Sequence, residues 1–141
     1  MKFPYLTLPS TTPFGRTTID KVPMLKIEFK EFYLDCMIDT GAYVSMMPAE
    51  FGVAIGLNIN SGEPFLVTGL DNISISSYIH KVEFCVGKIL CRIEVAFSEK
   101  FKFPFGLLWR KDFFDMFKIH FYQSVSFFEL ETYQAIINKF Q

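Results

Sequence analysis

The chain is short of cysteine and histidine, has no excess of charge of either sign and has no long hydrophobic run. Three of its 141 residues are cysteines: Cys36, Cys85 and Cys91. An odd number with no C-x-x-C pair argues against a disulfide framework and against a structural zinc site. Cys85 and Cys91 lie in apolar, strand-like sequence and read as buried, inert thiols. The two histidines, His80 and His120, have no ligand partner at helical or strand spacing. No H-E-x-x-H, P-loop, G-x-G-x-x-G or G-x-S-x-G occurs. Neither a metal nor a cofactor is expected. Lys and Arg number 14 against 15 Asp and Glu, a formal net charge of −1. That balance gives no basic field for nucleic acid or anionic lipid. No apolar run approaches the ~18 residues that a membrane helix needs. The opening MKFPYLTLPSTTPFG is interrupted by prolines and does not read as a signal peptide. A soluble cytoplasmic protein that binds neither nucleic acid nor membrane is expected.

What the chain does have is apolar bulk. Hydrophobic residues make up 50% and aromatics 18%, with 18 phenylalanines, which excludes a disordered chain. The phenylalanines read as core, because aromatic burial dominates core energetics. The length fits one domain of the usual ~100–200 residues. Residues 1–20, rich in Pro and Thr, read as an extended N-terminal arm, followed by a domain over 21–132 and a tail over 133–141.

The domain reads as many short strands. VPMLKIEF and FYLDCMI, joined around Lys30 and Glu31, form a hairpin pattern. A short helix is predicted from Pro48, which suits a first turn, with Glu50 complementing the dipole and Gly56 as terminator. Gly52 weakens that helix. Strands are predicted over 64–69, 73–86, 88–97, 118–122 and 125–131, with a turn at Gly69-Leu70-Asp71-Asn72. Trp109, Phe113, Met116 and Phe117 recur at helical spacing and predict a helix near 110–117. Residues 133–140 read as a short terminal helix. An all-β barrel or sandwich with one or two short helices follows.

One segment carries chemistry: Cys36-Met37-Ile38-Asp39-Thr40-Gly41-Ala42. A charged Asp at the end of an apolar strand is costly to bury without partners. The residues after it are small, so backbone can approach closely. Gly41 has no Cβ, and its N–H and that of Ala42 are placed to point at the carboxylate. Such a loop holds a carboxyl rigidly and nearly naked, as acid–base work requires. Asp, Thr and Gly are also ordinary turn formers, so the tripeptide by itself is equally a tight turn.

The tripeptide has company. Ile38-Asp39-Thr40-Gly41-Ala42 is followed by Val44-Ser45-Met46-Met47-Pro48, a helix ending Ile55-Gly56-Leu57, then Val67-Thr68-Gly69-Leu70-Asp71-Asn72, and last Leu107-Leu108-Trp109-Arg110-Lys111-Asp112-Phe113. In order and spacing, residues 22–130 resemble the retropepsin-like aspartic proteases, and cellular prokaryotic members more than viral ones. The resemblance implies a small closed acid-protease barrel with a flap hairpin. It implies an aspartic endopeptidase in which Asp39 is catalytic, with Thr40, Gly41, Ala42 and Arg110 supporting the loop. Thr68, Gly69, Leu70, Asp71 and Asn72 would form the flap. The chain holds one such Asp loop, so the resemblance implies a homodimer acting on a peptide or protein substrate, two Asp39 carboxyls sharing a water. Trp109 departs from the family pattern, which has glycine there. An inactive peptide-binding or assembly domain on the same barrel is the alternative. Trp109 is expected to begin the apolar stripe of the 110–117 helix, packing on Phe113 and Phe117.

Overall fold

The structure, a computed structural model, describes residues 1–41, 43–69 and 71–133. In chain order the strands are β1 (Lys2–Pro4), β2 (Leu6–Thr11), β3 (Thr17–Val22), β4 (Met24–Phe29), β5 (Phe32–Ile38) and β6 (Ser45–Pro48). A short helix α1 (Ala49–Ala54) precedes β7 (Glu63–Thr68), β8 (Ser74–Val86), β9 (Ile89–Ser98) and β10 (Gly106–Leu108). A kinked turn at Arg110–Phe114 leads to β11 (Phe117–Tyr122) and β12 (Phe127–Thr132).

Six strands close into a barrel in the order β4-β5-β10-β6-β9-β8, with β8 pairing back to β4 and β7 added outside β8. Alternation builds the walls: along β8, Val82, Phe84 and Val86 point inward while Lys81 and Glu83 face water. Opposite them Cys91, Ile93 and Val95 of β9 complete the same core. β5 lies antiparallel to β4, with Met24 opposite Met37, but parallel to β10, with Ile38 opposite Leu108. A three-stranded sheet, β1-β12-β11, covers one side of the barrel. Its Phe117, Phe128 and Leu130 belong to the barrel core.

The expected β4–β5 hairpin, α1, the 69–72 turn and β7 to β9 are present. Gly52, the weak point of the predicted helix, has a packing role. A Cβ there would lie 2.6 Å from Ile59 Cδ1 and 2.8 Å from Phe97 Cδ1, so glycine lets α1 sit against the barrel. The first twenty residues, expected as one extended arm, make β1 and the larger part of a separate β2–β3 hairpin. The 134–141 part of the tail, with most of its predicted helix, lies outside the described residues.

Two expectations need correction. No regular helix spans 110–117. Lys111 (φ −62, ψ 129) and Asp112 (φ 67, ψ −53) break the turn, and β11 starts at Phe117. Polar ties hold the kink: Asp112 Oδ2 accepts the Glu94 N–H at 2.8 Å, and Asp112 N–H donates to Asp115 Oδ2 at 3.2 Å. The helical spacing of Phe113 and Phe117 arises because both sides of the kink return to one core, their rings 5.2 Å apart. Trp109 does not join them. It is buried in a second cluster with Val44, Met46, Ala96 and Phe101, against which Val67 of β7 and Ile79 of β8 pack.

Candidate active site

Asp39 is the first residue beyond β5, and backbone bonds from two other segments fix its position. The Ile38 N–H donates to the Pro23 carbonyl at 2.9 Å, and the Asp39 N–H donates to the Leu108 carbonyl at 3.0 Å. Pro23 has no N–H of its own and offers only an acceptor, which suits this junction. The Gly41 N–H donates to Asp39 Oδ1 at 2.8 Å. A Cβ on Gly41 would sit 3.2 Å from that oxygen, close enough to push the carboxylate by a few tenths of an ångström. Asp39 is half-buried, while Thr40, Gly41 and Tyr43 are exposed. The loop therefore presents one backbone-anchored carboxyl at an open edge. Ala42 lies outside the described residues.

The 108–111 segment clamps the far side of the loop. The Trp109 N–H donates to Ser45 Oγ at 3.0 Å, and the Lys111 N–H donates to the Tyr43 carbonyl at 2.8 Å. Arg110 stands between these two bonds with its side chain exposed, so the fold brings Arg110 and the Asp39 loop onto adjoining backbone. The Lys111 ammonium is drawn elsewhere. Its Nζ lies 2.7 Å from Glu94 Oε2 and 3.5 Å from Asp112 Oδ2. The hydrogen bond to Glu94, ahead of the opposing burial, raises its pKa above the ordinary lysine value.

Ser45 is the residue that motif reading passes over. It is fully buried in an apolar run. A hydroxyl in that position must have a backbone partner, and that requirement was the available signal. Trp109 contributes a second buried polar atom, its indole Nε1, which has no hydrogen-bond partner among the described residues.

The β7–β8 hairpin ends in the turn read from the sequence. Gly69 N–H donates to the Ile73 carbonyl at 3.0 Å, Asn72 N–H to the Gly69 carbonyl at 3.2 Å, and Ile73 N–H to Asp71 Oδ1 at 3.1 Å. Asn72 adopts φ 62, where asparagine is tolerated. Thr68 Oγ1 and Ser74 Oγ are 3.0 Å apart at the hairpin neck. Thr68, Gly69, Asp71 and Asn72 are exposed, and Leu70 lies outside the described residues. The hairpin is joined to the Asp39 region through Val67 and Ile79, which pack on the Trp109–Val44–Met46 cluster.

Among the described residues no group of three or more His, Cys, Asp or Glu is placed to hold a metal ion. Nor is any helix among them long and apolar enough to cross a membrane. The three cysteines are free thiols. Burial pushes the Cys91 thiol pKa up to about 12 and the Cys36 thiol higher still.

No protein-family model matches the chain, and no curated protein matches it in sequence. Among solved structures it is similar to a retropepsin-like aspartic protease from Rickettsia conorii, with a TM-score of 0.63 at 10% identity, over 92% of this chain and 98% of that one. A protease of EIAV, solved with the inhibitor HBY-793, superposes more loosely, with a TM-score of 0.49 at 13% identity over 72% of this chain and 88% of that one. The protease of simian foamy virus gives a TM-score of 0.43 at 20% identity, over 60% of this chain and 85% of that one. The fold is retropepsin-like.

Proposed function

We propose that this retropepsin-like barrel is an aspartic endopeptidase that works as a homodimer, with the Asp39 carboxyls of two copies meeting at a two-fold axis. The observation that carries the reading is the Asp39 loop. Its carboxyl is held by the Gly41 amide and anchored to Pro23 and Leu108, yet opens on an exposed edge. One chain supplies one such carboxyl. Two meeting around a water cannot both ionise, so they share a proton. The unprotonated carboxyl takes a proton from the water as it attacks the peptide carbonyl. The protonated one donates to the carbonyl oxygen, and a proton later passes to the leaving nitrogen. Thr40 braces the paired loops, and Arg110 supports them from the adjoining segment. No metal or cofactor enters this chemistry.

The β7–β8 hairpin acts as the flap, with Gly69 in its turn allowing closure that excludes water. The peptide lies extended and pairs with exposed strand edges. β7, unpaired on its outer side among the described residues, offers one. Free thiols suit a reducing cytoplasm, where we place the protein.

A second reading, a peptide-binding or assembly domain without catalysis, draws support from Trp109. Its indole fills a cluster reaching the flap strands, where the family pattern has glycine. Cleavage of an unfolded protein at mildly acid pH separates the two. Wild type should cut and Asp39→Asn should be ~10²–10⁴-fold slower, the usual size of a lost acid–base group. A folded wild type that binds peptide without cutting supports the second reading, and an active Asp39→Asn overturns the first.

A further inference from the structure

The β2–β3 hairpin stands apart from both sheets. Among the described residues its strands pair only with each other, which leaves both edges open there. At six residues per strand it is about 20 Å long, and an isolated two-stranded ribbon is marginal in water. Its tip is nonetheless ordered. Thr12 N–H donates to the Arg16 carbonyl at 2.7 Å, Gly15 N–H to the Thr12 carbonyl at 2.9 Å, and Arg16 N–H to Thr12 Oγ1 at 3.1 Å. This fixed turn presents Phe14 with 98% of its surface exposed, beside Arg16. Ile19, 71% exposed, extends the apolar edge toward the base. Among the described residues Arg16 has no ion-pair partner.

The same chain carries a groove of matching character. An open depression of about 760 Å³ lies between α1 and the 98–104 loop. Phe51, Val53, Phe101 and Phe103 line it, and Glu50, Glu99 and Lys102 stand among them. Val53 is 62% exposed and Phe103 55% exposed, so the groove is an uncovered apolar surface. Glu50 and Glu99 are exposed and, among the described residues, make no ion pair. Two carboxylates against one ammonium leave the groove net acidic.

We infer that the β2–β3 hairpin of one copy docks, by Phe14 and Arg16, in the α1 groove of a second copy, and that the contact is reciprocal. The occupant follows from complementarity of two kinds. A single large aromatic meets an aromatic-lined depression with room for it, and its neighbouring guanidinium meets two unpaired carboxylates. Each copy carries both halves, as a self-complementary two-fold contact requires. The rigid turn lowers the ordering cost of binding. A lipid surface fits less well, since the tip carries one basic residue and Asp20 follows it. The contact uses none of the Asp39 loop and does not rest on the peptidase reading.

The test uses the full chain. Phe14→benzoylphenylalanine, irradiated in a mixture of isotopically light and heavy copies, should crosslink between chains, with the adduct on 48–54 or 98–104. Arg16→Glu and, separately, the double change Glu50→Lys with Glu99→Lys should each lose that crosslink, because finger and groove then repel. Mixing those two variants should restore it, since both reciprocal contacts regain opposite charges. Phe14→Ser should weaken self-association by ~10-fold or more, the effect of truncating an aromatic anchor. Crosslinks confined to the same chain, adducts elsewhere, or no rescue on mixing would overturn the proposal. So would wild-type binding to phosphatidylserine vesicles that Phe14→Ser abolishes while self-association persists. Asp39→Asn should leave every one of these readouts unchanged, so the peptidase reading can fail without affecting this one.

Discussion

The Asp39 N–H donates to the Leu108 carbonyl at 3.0 Å, across the end of the parallel β5–β10 pair. The carboxyl's position therefore depends on how the 107–111 segment is held. Ser45 is the side chain that holds it, by accepting the Trp109 N–H.

Ser45→Ala should destabilise the protein by ~1–3 kcal/mol, because it orphans a buried backbone donor at no gain in packing. Calorimetry on the variant measures this. An unchanged Tm would mean the bond to Trp109 contributes nothing net.

Gly41→Ala tests the loop without touching a titratable group. The new Cβ would stand 3.2 Å from Asp39 Oδ1, tighter than ordinary contact, so the carboxyl must shift. Peptide cleavage should fall by ~10²-fold, as small misplacements of reacting groups do, while Tm moves little. Full activity in Gly41→Ala would show that the amide contact does not position the carboxyl.

Trp109 packs on Val44, Met46 and Phe101 and not on Phe113. Trp109→Gly should cost ~3–5 kcal/mol, as large aromatic truncations in cores do, and should lower cleavage by loosening the cluster that seats Val67 and Ile79. Trp109→Phe keeps an aromatic ring and removes an unpartnered N–H, so its Tm should stay much nearer wild type. Cleavage that rises in Trp109→Gly as stability falls would instead mark the indole as an obstruction to substrate.

Burial pushes the Cys91 thiol up to about 12 in the folded chain, above the ordinary thiol range. Below the unfolded value both states hold the proton, and the contribution to stability is complete. As pH rises above it, only the unfolded thiol ionises, so stability drains away until the folded thiol itself titrates. Cys36 is shifted in the same direction by burial. Between pH ~8.5 and ~10.5 the wild-type Tm should fall more steeply than that of Cys91→Val, the window following from the usual thiol range. Parallel slopes would contradict it.

The sequence made legible those elements whose side chains see two environments. β8 alternates between core and water from Lys81 to Val86, and so declares itself. β6 and β10, four and three residues long, are lined with buried or half-buried positions and carry no alternation to read. The kink at Lys111 and Asp112 was hidden for a different reason. Its conformation rests on contacts to Glu94, seventeen or more residues away, while Phe113 and Phe117 imitate a helical stripe. The β2–β3 hairpin has no buried face to impose a pattern, and Pro9 and the threonines read only as extended chain. Asp39 and Gly41 were legible because their chemistry is local, an amide reaching a carboxylate two residues back. The bond between Ser45 and Trp109 was not, since its partners meet across 64 residues of sequence.

A shared active site makes a quantitative demand on mixtures. Wild-type chain and Asp39→Asn chain are combined at constant total concentration, allowed to exchange, and assayed on an unfolded protein at mildly acid pH. If each site needs Asp39 from both copies, activity follows the square of the wild-type fraction, and an equal mixture retains about a quarter of the original rate, as random two-fold pairing dictates. A linear decline, with about half the rate left in the equal mixture, would mean that each chain cuts alone and would contradict the homodimeric aspartic site.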